Sequence, residues 1–281
     1  MERLEYSVLM SVYHKENPEY LIEAIESMLN QTVPPEQFVI VKDGLLTSEL
    51  DEIVQKYQKE NATVFTVVAL DENQGLGIAL DEGIKVCRNE IIARMDSDDI
   101  SVKNRCERQL NIFQKDSKMV IVSGNINEFI DSPDNVVSMR IVPEKQNEIK
   151  KQMRTRSAFN HPAVMYKKTE VIRCGGYGKL KRKQDHDLFS RMINMGCKAY
   201  NIQDVILLFR ADKNNLIRRK SYENCKSYVV AQWNILRRGH CSIVDFIYVV
   251  LAQMFFYVAP TKMIEFVTKK YLRKDLMRGD K

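Results

Sequence analysis

The chain has 281 residues, 44% hydrophobic and 28% charged, with a net charge of +6. That mix excludes a disordered chain, and the length allows one large domain or two small ones with a substantial core. The modest basic excess suits an anionic small molecule, an anionic membrane surface or nucleic acid, but the basic residues are spread out and no nucleic-acid reader motif is present, so nucleic acid is disfavoured.

Tyr6 to Tyr13 is apolar enough for a buried first strand. Pro18 opens a helix through Asn30, with Leu21, Ile22, Ile25, Met28 and Leu29 at helical spacing. Pro34-Pro35 breaks the chain before a second strand, Gln37 to Lys42, which Asp43-Gly44 ends. An amphipathic helix is expected over about 47–59 and a third strand over Thr63 to Leu70. The turn Asn73 to Gly77 leads into a helix to about Cys87, and Glu90 to Met95 forms a fourth strand. Strand and helix alternate four times, which predicts a parallel sheet under right-handed crossovers. The part up to about residue 100 therefore reads as a nucleotide-binding type of α/β unit.

Further on, Val102 to Lys115 is expected as a helix and Met119 to Phe129 as a strand. A less regular middle carries the basic residues Lys150, Lys151, Arg154 and Arg156, then a short strand candidate, Pro162 to Tyr166. Gly175 to Gly178 is a loop, followed by the basic run Lys179 to Lys183. Asp185-His186-Asp187 opens a helix to about Met195, and Ala199 to Arg210 is a closing strand. No repeat or low-complexity linker appears. The six cysteines, Cys87, Cys106, Cys174, Cys197, Cys225 and Cys241, are scattered without a C-x-x-C pair, which suits reduced thiols in a cytoplasmic protein. No signal peptide is expected, because the strand pattern begins almost at once.

From Ser221 the chain changes to long helices. Ser242 to Pro260 is strongly apolar but interrupted by Asp245 and Gln253, short of the ~20 clean residues of a spanning helix. Arg237 and Arg238 precede it, and Lys262, Lys269, Lys270, Arg273 and Lys274 follow. An apolar stretch between basic flanks suits a helix lying in the surface of an anionic membrane. The competing reading is a helix packed on the domain.

The chemistry is concentrated after the fourth strand, in Asp96-Ser97-Asp98-Asp99. Three carboxylates within four positions repel one another unless they face water, cap a helix or share a divalent cation. They stand at the C-terminal end of a strand, the edge of an α/β sheet where ligands bind. A metal and a phosphorylated ligand are expected to meet there, and Arg94 is placed to reach a phosphate.

Several ordered motifs resemble those of family 2 glycosyltransferases: SVLMSVYHKENPEYLIEAIESMLNQT, VIVKDG, ENQGLGIALDEGI, IIARMDSDDIS, NHPAVMYKK and GGYGKLKRKQDHDLFSRMINMG. The resemblance runs from about Tyr6 to Phe209. Within the family the chain is similar to bacterial enzymes that assemble capsule, exopolysaccharide or O-antigen repeat units, of the amylovoran-biosynthesis type. It implies the GT-A fold: α/β, Rossmann-like, with a mixed, mostly parallel central sheet plus C-terminal helices. The implied organisation is a transferase domain over 1–212, with a nucleotide-binding half (1–100) and an acceptor half (101–212), then a helical, membrane-associating region over 213–281. The implied activity is inverting, metal-dependent transfer of a sugar from a nucleotide sugar, expected to be a UDP-sugar, to a lipid diphosphate-linked saccharide at the cytoplasmic face of the plasma membrane.

The resemblance also implies roles. Ser11, Val12 and Tyr13 would lie against the nucleobase and Glu16 near the nucleoside. Asp43, ending the second strand, would accept a pyrimidine N–H. Asn73 and Gly75 match the family's N-x-G turn. Asp98 would bind Mn²⁺ or Mg²⁺ directly, with Asp96 nearer the ribose or the metal's water shell. Asp99 competes for a lesser part, the cap of the next helix. Asp185 matches the second acid of the family's acidic pair and would be the general base. Gln184 stands where many relatives have Glu, and Phe189 where many have Trp. Asp187 is the competing base, or else structural or acceptor-binding. His161 would line the donor or acceptor pocket. Apart from the resemblance, the place of the basic run Lys179 to Lys183 directly before Asp185 suggests either a solvated loop or a mobile flap over the diphosphate or a lipid diphosphate acceptor, and Arg210, Arg218, Arg219 and Lys220 would serve the same acceptor.

Two other classes compete. A sugar-nucleotide nucleotidylyltransferase would open with a Gly-rich phosphate loop after its first strand, where this chain has SVYHKENPEY. A non-catalytic membrane-associated binding module would have lost one of its acids, and Asp96, Asp98 and Asp185 are all in place.

Overall fold

Val8, Met10 and Val12 alternate with Leu9 along strand β1 (Tyr6–Val12), and all four are fully buried. Period-two alternation with both sets apolar demands cover on both faces. A computed structural model, which describes residues 4–211, 220–260, 263–264, 267 and 274–275, supplies it. Beside β1 lie β2 (Gln37–Lys42) and β4 (Ile91–Met95), with β3 (Phe65–Ala69) outside β2, all parallel. Helices α1 (Pro18–Leu29), α2 (Ser48–Glu60) and α3 (Leu76–Val86) make the crossovers. Asn17 caps α1, its side chain accepting from Glu19 N at 2.8 Å, and Pro18 occupies the first turn, where a missing N–H costs nothing.

The sheet continues past β4 with changed direction. β8 (Met165–Lys167) pairs antiparallel with β4 and with β6 (Met119–Phe129), and β7 (Val136–Arg140) and β10 (Lys274–Asp275) extend that edge. β9 (Lys198–Arg210) runs parallel to β6 and also pairs antiparallel with the two-residue β5 (Ile100–Ser101). α4 (Arg105–Lys115) and α1 cover one face, around Val8, Met10, Phe38 and Phe113. α3, α5 (Gln146–Met153), α6 (Lys168–Arg173) and α7 (Gln184–Asn194) cover the other, around Leu9, Val41, Leu188 and Phe189.

Two boundaries differ from those expected of the sequence. The helix expected from Val102 starts at Arg105, because Ile100 and Ser101 are drawn into pairing with Leu208 and Leu207. The strand expected from Pro162 begins with a 3-10 turn, His161–Ala163, and becomes extended only at Met165. All six cysteines are free.

The C-terminal hairpin consists of α8 (Tyr222–Arg237) and α9 (Ile243–Val258), with α8 packed on α7 and α9 on α8. Asp245, which interrupts the apolar run, closes a capping box with Ser242 and is gripped by Arg154 at 2.6 Å. Beyond that anchor α9 buries a single residue, Val249, and leaves Val244 71% and Leu251 59% exposed among a row of bare apolar side chains. Among the described residues no helix is long and apolar enough to cross a membrane. Arg218, Arg219, Lys262, Lys269, Lys270 and Arg273 lie outside the described residues.

Candidate active site

The strand ends of β1, β2 and β4 open on a cavity of about 880 Å³ lined by Ser11, Tyr13, Glu16, Asp43, Asn73, Gly75, Asp96, Asp98 and Arg210. Nine residues singled out from the sequence are thus brought together. Val12 is not among them. It alternates with Ser11 and Tyr13, so its side chain enters the core, and its carbonyl accepts Asp43 N–H at 2.8 Å. Its expected nucleotide contact is corrected to a structural role.

Asp43 builds the rim before it touches any ligand. Its two carboxylate oxygens accept the backbone N–H groups of Gln74 (2.8 Å) and Gly75 (3.0 Å). Glycine serves a different need on each side, close approach at Gly44 and left-handed backbone at Gly75. Gly44 has φ +83°, and a Cβ there would lie 2.6 Å from Asn73 N; Gly75, at φ +89°, starts α3.

The acids form one constellation. Carboxylate oxygens of Asp96, Asp98 and Asp99 lie within 4.8 Å of one another. Asp99 does not cap a helix, as the sequence allowed. It is 0% exposed, accepts Arg210 N–H at 2.9 Å through Oδ1, and its buried Oδ2 has no hydrogen-bond partner. Burial, together with the charges of Asp96 and Glu16, pushes the Asp98 carboxyl up to about 7, and burial and the charge of Asp98 hold Asp99 well above the carboxylate range. Glu16 is also raised by burial, and its carboxylate accepts from Ser97 Oγ and from Asn17 N at 2.9 Å. Clustered hard oxygens, excess negative charge and an orphaned buried carboxylate oxygen make a donor set that fits a divalent cation.

Arg94 is corrected. It is 1% exposed, and its two terminal guanidinium nitrogens donate to the two oxygens of Asp96, one of them at 2.9 Å. It therefore braces the cluster from below and does not reach a phosphate. A fully buried Arg105 supports it, donating to Arg94 O at 2.6 Å. Arg210 is likewise turned to the cluster: it donates Nε–H to Asp98 O at 2.9 Å, pairs with Glu23, and lies 3.7 Å over the Tyr20 ring.

A second cavity of about 740 Å³ adjoins the first and shares Asn73, Gly75, Asp96, Lys181, Arg182 and Phe209 with it. Asp185, His161, Lys183 and Gln184 line it, with Glu223 and Asn224 from the start of α8. Asp185 sits in the first turn of α7. His161 is a neutral ring, held well below its ordinary value by burial and by Arg94, and its Nε2 meets Tyr177 Oη at 2.9 Å. Phe189 packs edge-on against it, ring centroids 5.9 Å apart. Asp187 does not line the cavity. Arg191 (3.1 Å) and Arg238 (2.6 Å) hold its buried carboxylate, so it ties α7 to the end of α8. Lys220 lines neither cavity and donates to Ala259 O at 2.8 Å, at the end of α9. Ser97, Asp81, Glu223 and Asn224 were not read from the sequence; the first sits between two acids and could have been suspected.

The model of the family described as "Glycosyl transferase family 2" matches residues 7–225. The chain belongs to glycosyl transferase family 2. The transferase is 36% identical over 97% of its length to the UDP-Gal:alpha-D-GlcNAc-diphosphoundecaprenol beta-1,3-galactosyltransferase of Escherichia coli, covering 98% of that protein. It is 31% identical to the amylovoran biosynthesis glycosyltransferase AmsE of Erwinia amylovora, over 80% of this chain and 83% of that one. Its fold is shared with the mannosyltransferase PcManGT of Pyrobaculum calidifontis, solved with GDP-Man and Mn²⁺, at a TM-score of 0.64 and 16% identity, over 92% of this chain and 71% of that one. This is the GT-A fold expected from the motifs. The sugar-nucleotide nucleotidylyltransferase alternative falls with the family assignment.

Proposed function

We propose that the transferase moves a hexose from a UDP-sugar to a lipid diphosphate-linked saccharide, with inversion at the anomeric carbon, in the synthesis of a surface polysaccharide. The observation that carries this reading is the meeting of two cavities at Asp96, with the acid cluster on one side and Asp185 on the other. The larger cavity has the residue set for a nucleotide sugar. Tyr13, 41% exposed, offers a ring face to the base, and Asp43 has lone pairs left beside the turn it holds. Asp98 and Asp99, with Asp96 braced by Arg94, would hold Mn²⁺ or Mg²⁺, which supplies Lewis-acid relief of charge on the departing diphosphate. Asp185 takes the proton from the acceptor hydroxyl as that oxygen attacks the anomeric carbon on the face opposite the diphosphate. The new glycosidic bond forms, the bond to phosphate oxygen breaks, and its electron pair leaves with UDP. Lys181 and Arg182, at the rim of both cavities, add positive charge where a diphosphate would lie.

The named substrates of the Escherichia coli relative make UDP-galactose and an undecaprenyl diphosphate-linked N-acetylglucosamine the first pair to try. The bare face of α9 supports contact with the membrane that carries such an acceptor, peripherally and from the cytoplasmic side. The test is direct. Purified protein with Mn²⁺ or Mg²⁺, a panel of UDP- and dTDP-sugars and the lipid acceptor should release nucleoside diphosphate and give a product of inverted anomeric configuration by NMR. No release from any UDP-sugar with such an acceptor overturns the proposal, and retained configuration overturns the mechanism.

A further inference from the structure

Between α6 and α7 the chain forms a tight strap, Gly175-Gly176-Tyr177-Gly178, with φ positive at all three glycines. It is held from both sides by charged groups far from it in sequence. From α3, the Asp81 carboxylate accepts Tyr177 N–H at 2.8 Å through Oδ1 and Gly178 N–H at 3.1 Å through Oδ2. From α7, Arg191 donates to Cys174 O and, at 2.6 Å, to Gly176 O. The approach is too close for any side chain: a Cβ on Gly176 would lie 2.5 Å from Asp81 Oδ1, and one on Gly77 would lie 2.7 Å from Gly178 O. The strap is fastened inward as well, since Tyr177 Oη meets both His161 Nε2 (2.9 Å) and Tyr166 Oη (3.3 Å).

The strap is the root of the basic arm. Three residues after Gly178 come Lys181 and Arg182, the exposed cations on the rim of both cavities, and then Asp185. Helix α3 also begins at the site, where Gly75 N–H is bound by Asp43. One rigid helix thus has its first residues on the donor cavity and a carboxylate, six residues beyond Gly75, holding the root of that arm. A carboxylate that accepts two consecutive backbone N–H groups fixes both the place and the direction of a loop.

We infer that Asp81 is a positioning residue of the transfer reaction: by clamping the Gly175–Gly178 strap to α3, it sets the basic arm carrying Lys181 and Arg182 against the junction of the two cavities. This rests on the proposed transferase activity. Asp81 lines neither cavity and acts only through the arm. Misplacement of charged groups by about an ångström costs up to about a hundredfold in turnover, and that is the range expected here.

The experiment is a double-mutant cycle read by steady-state kinetics with UDP-sugar and lipid acceptor, and melting by circular dichroism reports folding. Asp81→Ala should lower kcat roughly 10- to 100-fold, and Asp81→Asn, which keeps one acceptor oxygen, should fall between it and the parent. Mn²⁺-dependent UDP binding, read by calorimetry, should persist in both, because the acid cluster and Asp43 are untouched. In a Lys181→Ala/Arg182→Ala background the Asp81→Ala loss should largely vanish, since groups acting as one unit are not additive. Gly176→Ala breaks the same contact from the loop side and stands in if Asp81→Ala does not fold. Parental kcat in a folded Asp81→Ala or Gly176→Ala protein overturns the inference. So does an undiminished loss in the background lacking the arm's charges. Absence of transfer by the unaltered protein is a different result and counts against the transferase reading.

Discussion

Arg94 and Asp96 form a forked pair across two positions of one strand end: both guanidinium arms of a fully buried arginine lie on both oxygens of the carboxylate. Burial works against the arginine's charge, but Asp96 more than offsets it and keeps Arg94 firmly cationic. Arg94→Lys retains the charge and loses the fork, so Asp96 is no longer oriented. We expect Mn²⁺-dependent UDP binding to weaken about tenfold or more and stability to fall by roughly 2–4 kcal/mol. Calorimetry and urea unfolding measure the two. A lysine variant that binds UDP and metal like the parent would show that Asp96 needs no such brace.

Asp98 and Asp185 line different cavities, and the parts proposed for them, metal ligand and general base, should separate in their effects. Asp98→Ala should abolish transfer and metal-dependent nucleotide binding together. Asp185→Asn should leave UDP binding intact and lower kcat by about 10²–10⁴, the usual worth of a general base. Binding by calorimetry beside turnover distinguishes the two, and turnover by Asp185→Asn close to that of the parent would remove that residue from the role of base.

His186 predicts an acid-labile fold. Burial lowers it to about 4 from an ordinary 6.5; Asp185 pulls the other way without prevailing. Its Nδ1 is buried without a partner. The unfolded chain therefore takes up a proton at a pH where the folded chain refuses one. The stability is fully present above about 6.5 and is lost as pH falls towards 4. Between pH 7.5 and pH 5.0 this group alone removes about 2 kcal/mol, readable as a shift in urea midpoint. His186→Gln should flatten the fall by that amount, and an unchanged fall would assign it to other groups, among them His161 and His240, which burial also depresses.

The α9 face offers a prediction that activity alone cannot give. Val244→Glu/Leu251→Glu places two charges on exposed positions, where folding should change by no more than about 0.5 kcal/mol per site. The parent protein should float with vesicles containing phosphatidylglycerol and less with pure phosphatidylcholine, and the variant should stay behind in both. Turnover of a short-chain, water-soluble acceptor should be the same for both proteins. Equal flotation of parent and variant would move the membrane contact elsewhere.

The first 95 residues were legible because each of their four strands is an apolar run and each crossover helix has three or more apolar residues on one stripe. The later half was harder for a physical reason. β7 (Val136–Arg140) is short and half-exposed, and α5 buries only Ile149 and Met153, so neither carries enough periodicity to be seen. Within the site, positions at strand ends were readable because chain direction alone puts them at the ligand edge. Side-chain direction decides the rest. Alternation along β1 turns Val12 away from Ser11 and Tyr13, and alternation along β4 turns Arg94 towards Asp96. Asp99 looked like a cap because an acid before a helix so often is one. Its actual partner, the Arg210 backbone, is 111 residues away and leaves no local trace.

That long-range bond makes the arrangement of the acids depend on the far end of the domain. The backbone of Arg210 holds Asp99, and its side chain holds the carbonyl of Asp98. Both come from the last residue of β9, a strand that pairs with β6 along most of its length. A nascent chain that has made its nucleotide-binding half therefore has the acids but not their final arrangement. The acids and the closing strand are therefore one unit: displacing the last residue of β9 would take a hydrogen bond from Asp99 and another from Asp98 together.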